Sequence, residues 1–399
     1  MRRVLASVSV AAAVLFPVEL ALSAQPSERV RAPYFEVDPF WPKPLPNQWL
    51  LGSVAGVSVD DRDTVWIIHR PPSLGDNERG LERGFSECCA PAPPVLAFDR
   101  DGRLVANWGG PGTAFEWPQT NHGITADREG YVWLGGSGDA DSHVLKFTRA
   151  GVFVKQFGRA GARRGPDAAP AAATWIGNSH DVTSYGRVAK IDVDAAANEA
   201  YLSDGYLNRR VAVIDTETGV MKRYWGAYGN KPDDSPPGDY RPEAPPDPQF
   251  RGPVHCAVLS VDGLVYVCDR MSNRIQVFRR DGTFVKEAVF AKATRGARPG
   301  EGGSVSDLSF SADRNQTYVY VADLLNAKIR VLRRDTLEEL TSFGGGGRQP
   351  GQFYGPHNIA TDSRGDIYLV ETFEGKRIQK FLYKGVRTVA REQGVVWPR

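Results

Sequence analysis

The chain has 399 residues, with 49 basic side chains against 47 acidic ones and a formal charge of +2. That near-balance, with no block of like charge, argues against nucleic-acid binding through an electrostatic footprint. Forty-two glycines and 28 prolines suit many short strands and turns, and the length allows one large β domain or two ordinary ones.

Residues 1–24 open with Arg2-Arg3, run apolar from Val4 to Leu22 and end in small residues at Ser23-Ala24. A charged start, a short apolar run and a small-residue cleavage site predict a secretory signal peptide. Pro17 and Glu19 interrupt the run and disfavour a membrane anchor. Loss of this segment removes two arginines and one glutamate and leaves a formal +1. No later stretch has the apolar length to span a bilayer, so the expected product is secreted or periplasmic and monomeric. Residues 25–49 are rich in proline and aromatics. They predict an N-terminal arm with one short strand, around Tyr34–Val37, packed outside the domain.

From residue 50 to 399 one unit repeats six times. Its last copy runs Ile359–Thr361, a polar turn, Ile367–Val370, another polar turn, then Arg377–Phe381. β-Branched and aromatic residues alternating between Gly/Asp turns are the signature of strands and hairpins. The first strand recurs at Val54–Val57, Asn121–Ile124, Val188–Ile191, Val254–Ala257, Val305–Leu308 and Pro356–Ile359. A second and a third strand follow each copy, and a fourth follows most. Four short antiparallel strands, six times over, predict an all-β fold, a six-bladed β-propeller. Extra length in the early repeats falls into insertions at 71–93, 160–187 and 225–252, which read as lids or disordered loops.

Cys256 and Cys268 fall on adjacent strands of one hairpin, where a cross-strand bridge fits, while Cys88 and Cys89 are neighbours in a loop. Four cysteines allow three connectivities, and an exported protein permits disulfides.

Three of the six histidines, His122, His255 and His357, occupy the same repeat position in blades 2, 4 and 6, where blades 1, 3 and 5 carry Ala55, Ala189 and Ser306. The first strand of a blade lines the central channel. Equivalent positions on alternate blades therefore lie about 120° apart at one height. Three imidazoles converging between small residues make a His₃ site with an open position, the pattern of a catalytic zinc; another divalent metal that favours imidazole is the alternative. Taken singly, each histidine reads better as a satisfied core or channel residue; the shared repeat position is what favours the metal. His69-Arg70, Asp204-Gly205-Tyr206 and Asp269-Arg270 end or follow second strands, at the end where the first strands begin. They rim the mouth above the histidines. Two arginines offer forks for a carboxylate, and a phenol beside a cation can serve as a base.

The run Cys268-Asp269-Arg270-Met271-Ser272-Asn273-Arg274-Ile275-Gln276-Val277-Phe278 resembles NHL repeats. The histidines, His69-Arg70, Asp204-Gly205-Tyr206 with Asn208, and Asp269-Arg270 together resemble peptidyl-α-hydroxyglycine α-amidating lyase, in that family's order and blade positions. The resemblance implies a zinc held by His122, His255 and His357, and catalytic roles for Tyr206, Arg70 and Arg270. It also implies cleavage of the N–C bond of an α-hydroxyglycine, on a small molecule or a peptide C-terminus, to an amide and glyoxylate. A structural calcium is implied at Asn358, with the carbonyls of Val57 and Ile124, although the family carries aspartate where Asn358 stands. Gly355 and Leu207 replace a methionine and a cysteine of the family pattern, and no copper monooxygenase domain is expected within these 399 residues. The competing readings are a non-catalytic propeller that binds a protein or glycan, and a calcium-dependent hydrolase of the lactonase kind, whose channel favours carboxylates over histidines.

Overall fold

The computed structural model describes residues 28–165, 174–296 and 302–398; the segment read as a signal peptide and part of the 160–187 insertion lie outside them. The repeats form six four-stranded antiparallel sheets around an axis. Blade 1 comprises Ser53–Val59, Val65–Arg70, Val95–Phe98 and Leu104–Trp108, and blade 2 comprises Asn121–Ala126, Tyr131–Gly136, His143–Thr148 and Phe153–Gly158. Blade 3 is Val188–Asp194, Glu199–Asp204, Arg210–Asp215 and Met221–Trp225; blade 4 is Val254–Leu259, Leu264–Asp269, Arg274–Arg279 and Phe284–Val289. Blade 5 is Asp307–Phe310, Tyr318–Asp323, Lys328–Arg333 and Glu339–Gly344.

Blade 6 takes its strands from both ends of the chain. Pro356–Thr361, Ile367–Glu371 and the long Arg377–Ala390 supply three, and Arg29–Asp38 from the N-terminal arm supplies the outermost. That strand pairs from Arg29 with Ala390 to Asp38 with Lys380. Among the described residues, helical segments are 3-10 turns of three or four residues, and no helix is long and apolar enough to cross a membrane.

Alternation along each strand turns one set of side chains toward each neighbouring blade, so the apolar residues collect in wedges between blades. Trp66, Ile68 and Val95 of blade 1 meet Ile124, Leu134 and Phe147 of blade 2. Tyr201, Val213 and Trp225 of blade 3 meet Val254, Val267 and Phe278 of blade 4. The seam between the last and first blades is built the same way, from Tyr368, Val370 and Ile378 against Val54, Val57 and Phe98. Each such side chain contributes about 1.5–3 kcal/mol when fully buried, so the seam closes the ring with the same kind of core as the other interfaces.

The insertions are tied down where they are described. Ser179 bonds Asp234 through its backbone N–H at 2.7 Å and its hydroxyl at 2.5 Å, joining the second insertion to the third. Lys376 of blade 6 bonds Glu78 of the first insertion at 2.6 Å. Cys256 and Cys268 face each other across the first two strands of blade 4 and form a disulfide, as do the adjacent Cys88 and Cys89.

Candidate metal centre and the residues around it

The inner strands slip register at the repeat position that carries histidine. The pairing jumps from Val54 to Gly56 in blade 1, Asn121 to Ile124 in blade 2, Val254 to Cys256 in blade 4 and Pro356 to Asn358 in blade 6. A bulge leaves the extra residue out of the ladder and re-aims its side chain; here it turns toward the channel. Close approach of neighbouring strands helps. A Cβ on Gly123 would lie 2.6 Å from the Ala189 carbonyl oxygen, so only glycine admits blade 3 at this distance.

His122, His255 and His357 are each almost wholly buried, with ring centroids 4.7–5.0 Å apart. Their ligand nitrogens all lie within 4.8 Å of one another. Each Nδ1–H donates to the carbonyl of the equivalent ring position one blade on: His122 to Ala189 at 2.7 Å, His255 to Ser306 at 2.5 Å, His357 to Ala55 at 2.7 Å. A carbonyl can only accept, so Nδ1 carries the proton and every Nε2 presents a bare lone pair. Burial is the main reason all three imidazoles stay neutral, aided by the Arg70 and Arg270 guanidiniums and by the neighbouring rings. His357 is pushed down to about 3, and the other two lie well below the ordinary histidine value.

The Tyr206 hydroxyl stands 2.8 Å from Nε2 of His122 and 3.0 Å from Nε2 of His255, and it accepts from Nη1 of Arg270 at 3.2 Å. One phenolic hydrogen cannot satisfy two lone pairs, and His357 Nε2 adds a third. Three converging neutral acceptors with a single donor hydrogen among them fit a bound cation. The triad could hold a metal ion. A second group, Cys256, Cys268 and Asp307, also lies within ligand distance, but its sulfurs are spent in the disulfide.

The loop that delivers Tyr206 is held at its base. Asp204, fully buried, accepts from Gly186 N at 2.5 Å, from Nδ2 of Asn208 at 2.8 Å and from Nε of Arg210 at 2.8 Å. Gly205 then passes so close to blade 4 that a Cβ would sit 2.2 Å from the Val254 backbone. With the chain pinned there, Tyr206 reaches between two histidines. Arg70 is braced by donating from Nε to the Asn121 carbonyl at 2.8 Å, while Nδ2 of Asn121 returns a bond to the His69 carbonyl at 2.8 Å. Burial lowers the pKa of Arg70, and the nearby Tyr206 phenol and Asp141 carboxylate oppose that shift. The structure thus brings Arg70, Tyr206 and Arg270 to the same mouth as the three imidazoles.

Of the residues tied to calcium by resemblance, Asn358 is engaged through its amide nitrogen while its buried Oδ1 has no hydrogen-bond partner. Asn358 donates from Nδ2 to Asp307 at 2.8 Å. Sequence reasoning passed over a buried ion pair in this layer, Lys190 with Asp307, at 2.7 Å. The signal was present: the column after the histidine column reads Gly56, Gly123, Lys190, Cys256, Asp307, Asn358, and it carries one cation and one anion in a channel. The acids ending the second strands, each carboxylate fully buried, form ion pairs with third-strand arginines: Asp204 with Arg210, Asp269 with Arg274, Asp323 with Arg330 and Glu371 with Arg377. His180 is exposed, with its ring 3.3 Å from the Tyr224 hydroxyl.

No family profile matches the chain. Peptidyl-alpha-hydroxyglycine alpha-amidating lyase 1 of Drosophila melanogaster is 22% identical over 369 residues, 87% of this chain and 59% of that protein. Peptidyl-glycine alpha-amidating monooxygenase A of Xenopus laevis is 23% identical over 347 residues, 84% of this chain and 32% of that protein. NHL repeat-containing protein 3 of Mus musculus is 26% identical over 274 residues, 66% of this chain and 62% of that protein. The chain spans less than two thirds of the length of each of these relatives. It is a six-bladed β-propeller distantly related to the amidating lyases and to NHL-repeat proteins.

Proposed function

We propose that the protein is an exported metal-dependent lyase that cleaves the N–C bond of an α-hydroxyglycine-type carbinolamide. The observation that carries this reading is the meeting of three bare Nε2 lone pairs and one phenol at the channel mouth. The all-imidazole donor set with an open position favours zinc, which when bound supplies Lewis acidity toward the substrate hydroxyl. Tyr206 is the proton carrier. With its oxygen deprotonated and accepting from Nη1 of Arg270, it takes the proton of the carbinol hydroxyl. The hydroxyl oxygen's electron pair forms the new C=O bond, the C–N bond breaks, and the departing amide nitrogen receives the proton back from Tyr206. The products are an amide and glyoxylate, with no net change in protons. Arg70 and the rest of the Arg270 fork hold the substrate carboxylate. Two disulfides support export to an oxidising compartment.

The test pairs metal analysis of the purified protein with glyoxylate release from α-hydroxyhippurate. One metal ion per chain and glyoxylate production are expected. Tyr206→Phe should keep the metal and lose about 10²–10⁴-fold in kcat, the usual weight of a positioned acid–base group. Metal without glyoxylate sinks the assigned reaction and leaves the centre standing.

A further inference from the structure

One layer along the channel from the imidazoles lies a second polar cluster. The Lys190 ammonium, from the inner strand of blade 3, lies 2.7 Å from both carboxylate oxygens of Asp307 in blade 5. Oδ2 of Asp307 also accepts from Nδ2 of Asn358 at 2.8 Å and from the Ile359 backbone N–H at 3.0 Å, both from blade 6. Asp307 is wholly buried and Lys190 is 9% exposed. The inner strands of three blades are therefore pinned through a single carboxylate.

A dication at Asn358 would need three things this cluster withholds. It would need a free carboxylate, but both Asp307 oxygens are taken. It would need the amide oxygen of Asn358 beside the acid, but the amide nitrogen is there, fixed by its bond to an acceptor, and the buried Oδ1 is left without a hydrogen-bond partner. It would also need room beside a buried ammonium, whose charge repels it at low dielectric. The residues present do not fit calcium.

We propose that Lys190 is the resident cation of this layer of the channel, a covalently attached replacement for the structural calcium implied at Asn358, and that the fold is consequently indifferent to calcium. The inference is independent of the reaction proposed above, because its readouts are metal content and melting temperature. The experiment uses the mature chain, zinc-loaded, with calcium added or withheld. The wild type should carry no stoichiometric calcium and melt at one temperature under both conditions. Lys190→Met keeps the side-chain length but strands the Asp307 carboxylate; it should melt lower by roughly 5 °C or more, the scale of a broken buried pair in a chain this long. Should that variant not fold, Lys190→Met/Asp307→Asn, which strands no charge, takes its place and should remain blind to calcium. One tightly held calcium per wild-type chain, or a saturable rise of the wild-type melting temperature with calcium, overturns the proposal. So does a Lys190→Met protein that melts with the wild type.

Discussion

His69 uses its two ring nitrogens differently from the three channel histidines. Its Nδ1 accepts the Gly52 backbone N–H at 3.0 Å, and its Nε2–H donates to the Pro93 carbonyl at 3.0 Å. No lone pair remains for a metal, so this imidazole staples the entry of blade 1 to its insertion. Burial is the main cause that pushes its pKa down to about 4, with the Pro93 carbonyl opposing. A depressed histidine favours the fold in its neutral form, so its contribution is complete above about pH 6.5 and fades as pH falls toward 4. That contribution is worth roughly 3 kcal/mol. The gap in urea stability between wild type and His69→Gln should therefore shrink as pH drops from 7 to 4; a gap that stays constant refutes the assignment. The same contrast explains what the sequence could tell about the centre. His122, His255 and His357 were legible because a shared column fixes their height and direction together. The Lys190–Asp307 pair is harder to read, because its partners stand 117 residues apart and only the column after the histidines, with its one cation and one anion, links them.

Single strands show a division of labour in which the acid closing a second strand anchors three segments at once. Asp204 receives the backbone entering its own blade, through Gly186, and the third strand, through Arg210; Glu371 does the same with Tyr354 and Arg377. The six-fold strand pattern was readable from alternation and turns, whereas these anchors were not, because sequence does not show that the arginine six residues on folds back onto the acid. Both Asp204 and Arg210 are fully buried. Asp204→Asn leaves the guanidinium without its counter-charge and should cost about 3–5 kcal/mol, read from urea unfolding. A loss below about 1 kcal/mol, the value of an exposed pair, would show that the carbonyls of Ser179, Asp181 and Ser184 around Arg210 suffice.

At the scale of the molecule, the ring depends on a strand from its far end. Phe35 and Val37 of the N-terminal strand are buried in the wedge with Tyr320, Phe343 and Phe381, and the strand covers what would otherwise be a bare edge of Arg377–Ala390. Deleting residues 28–38 removes that cover and leaves an unpaired edge, a template for association. The truncated protein should elute as aggregates in size exclusion and lose the single cooperative transition of the parent; a monomeric, cooperatively melting product contradicts this. Ring closure also reaches the channel. The bond from His357 to the Ala55 carbonyl spans the seam, joining the last blade made to the first. A ribosome that has finished five blades has released two of the three imidazoles and nothing to orient the third. On the proposed reading, ion capture waits until blade 6 closes on blade 1, and a loaded centre certifies that the ring has closed.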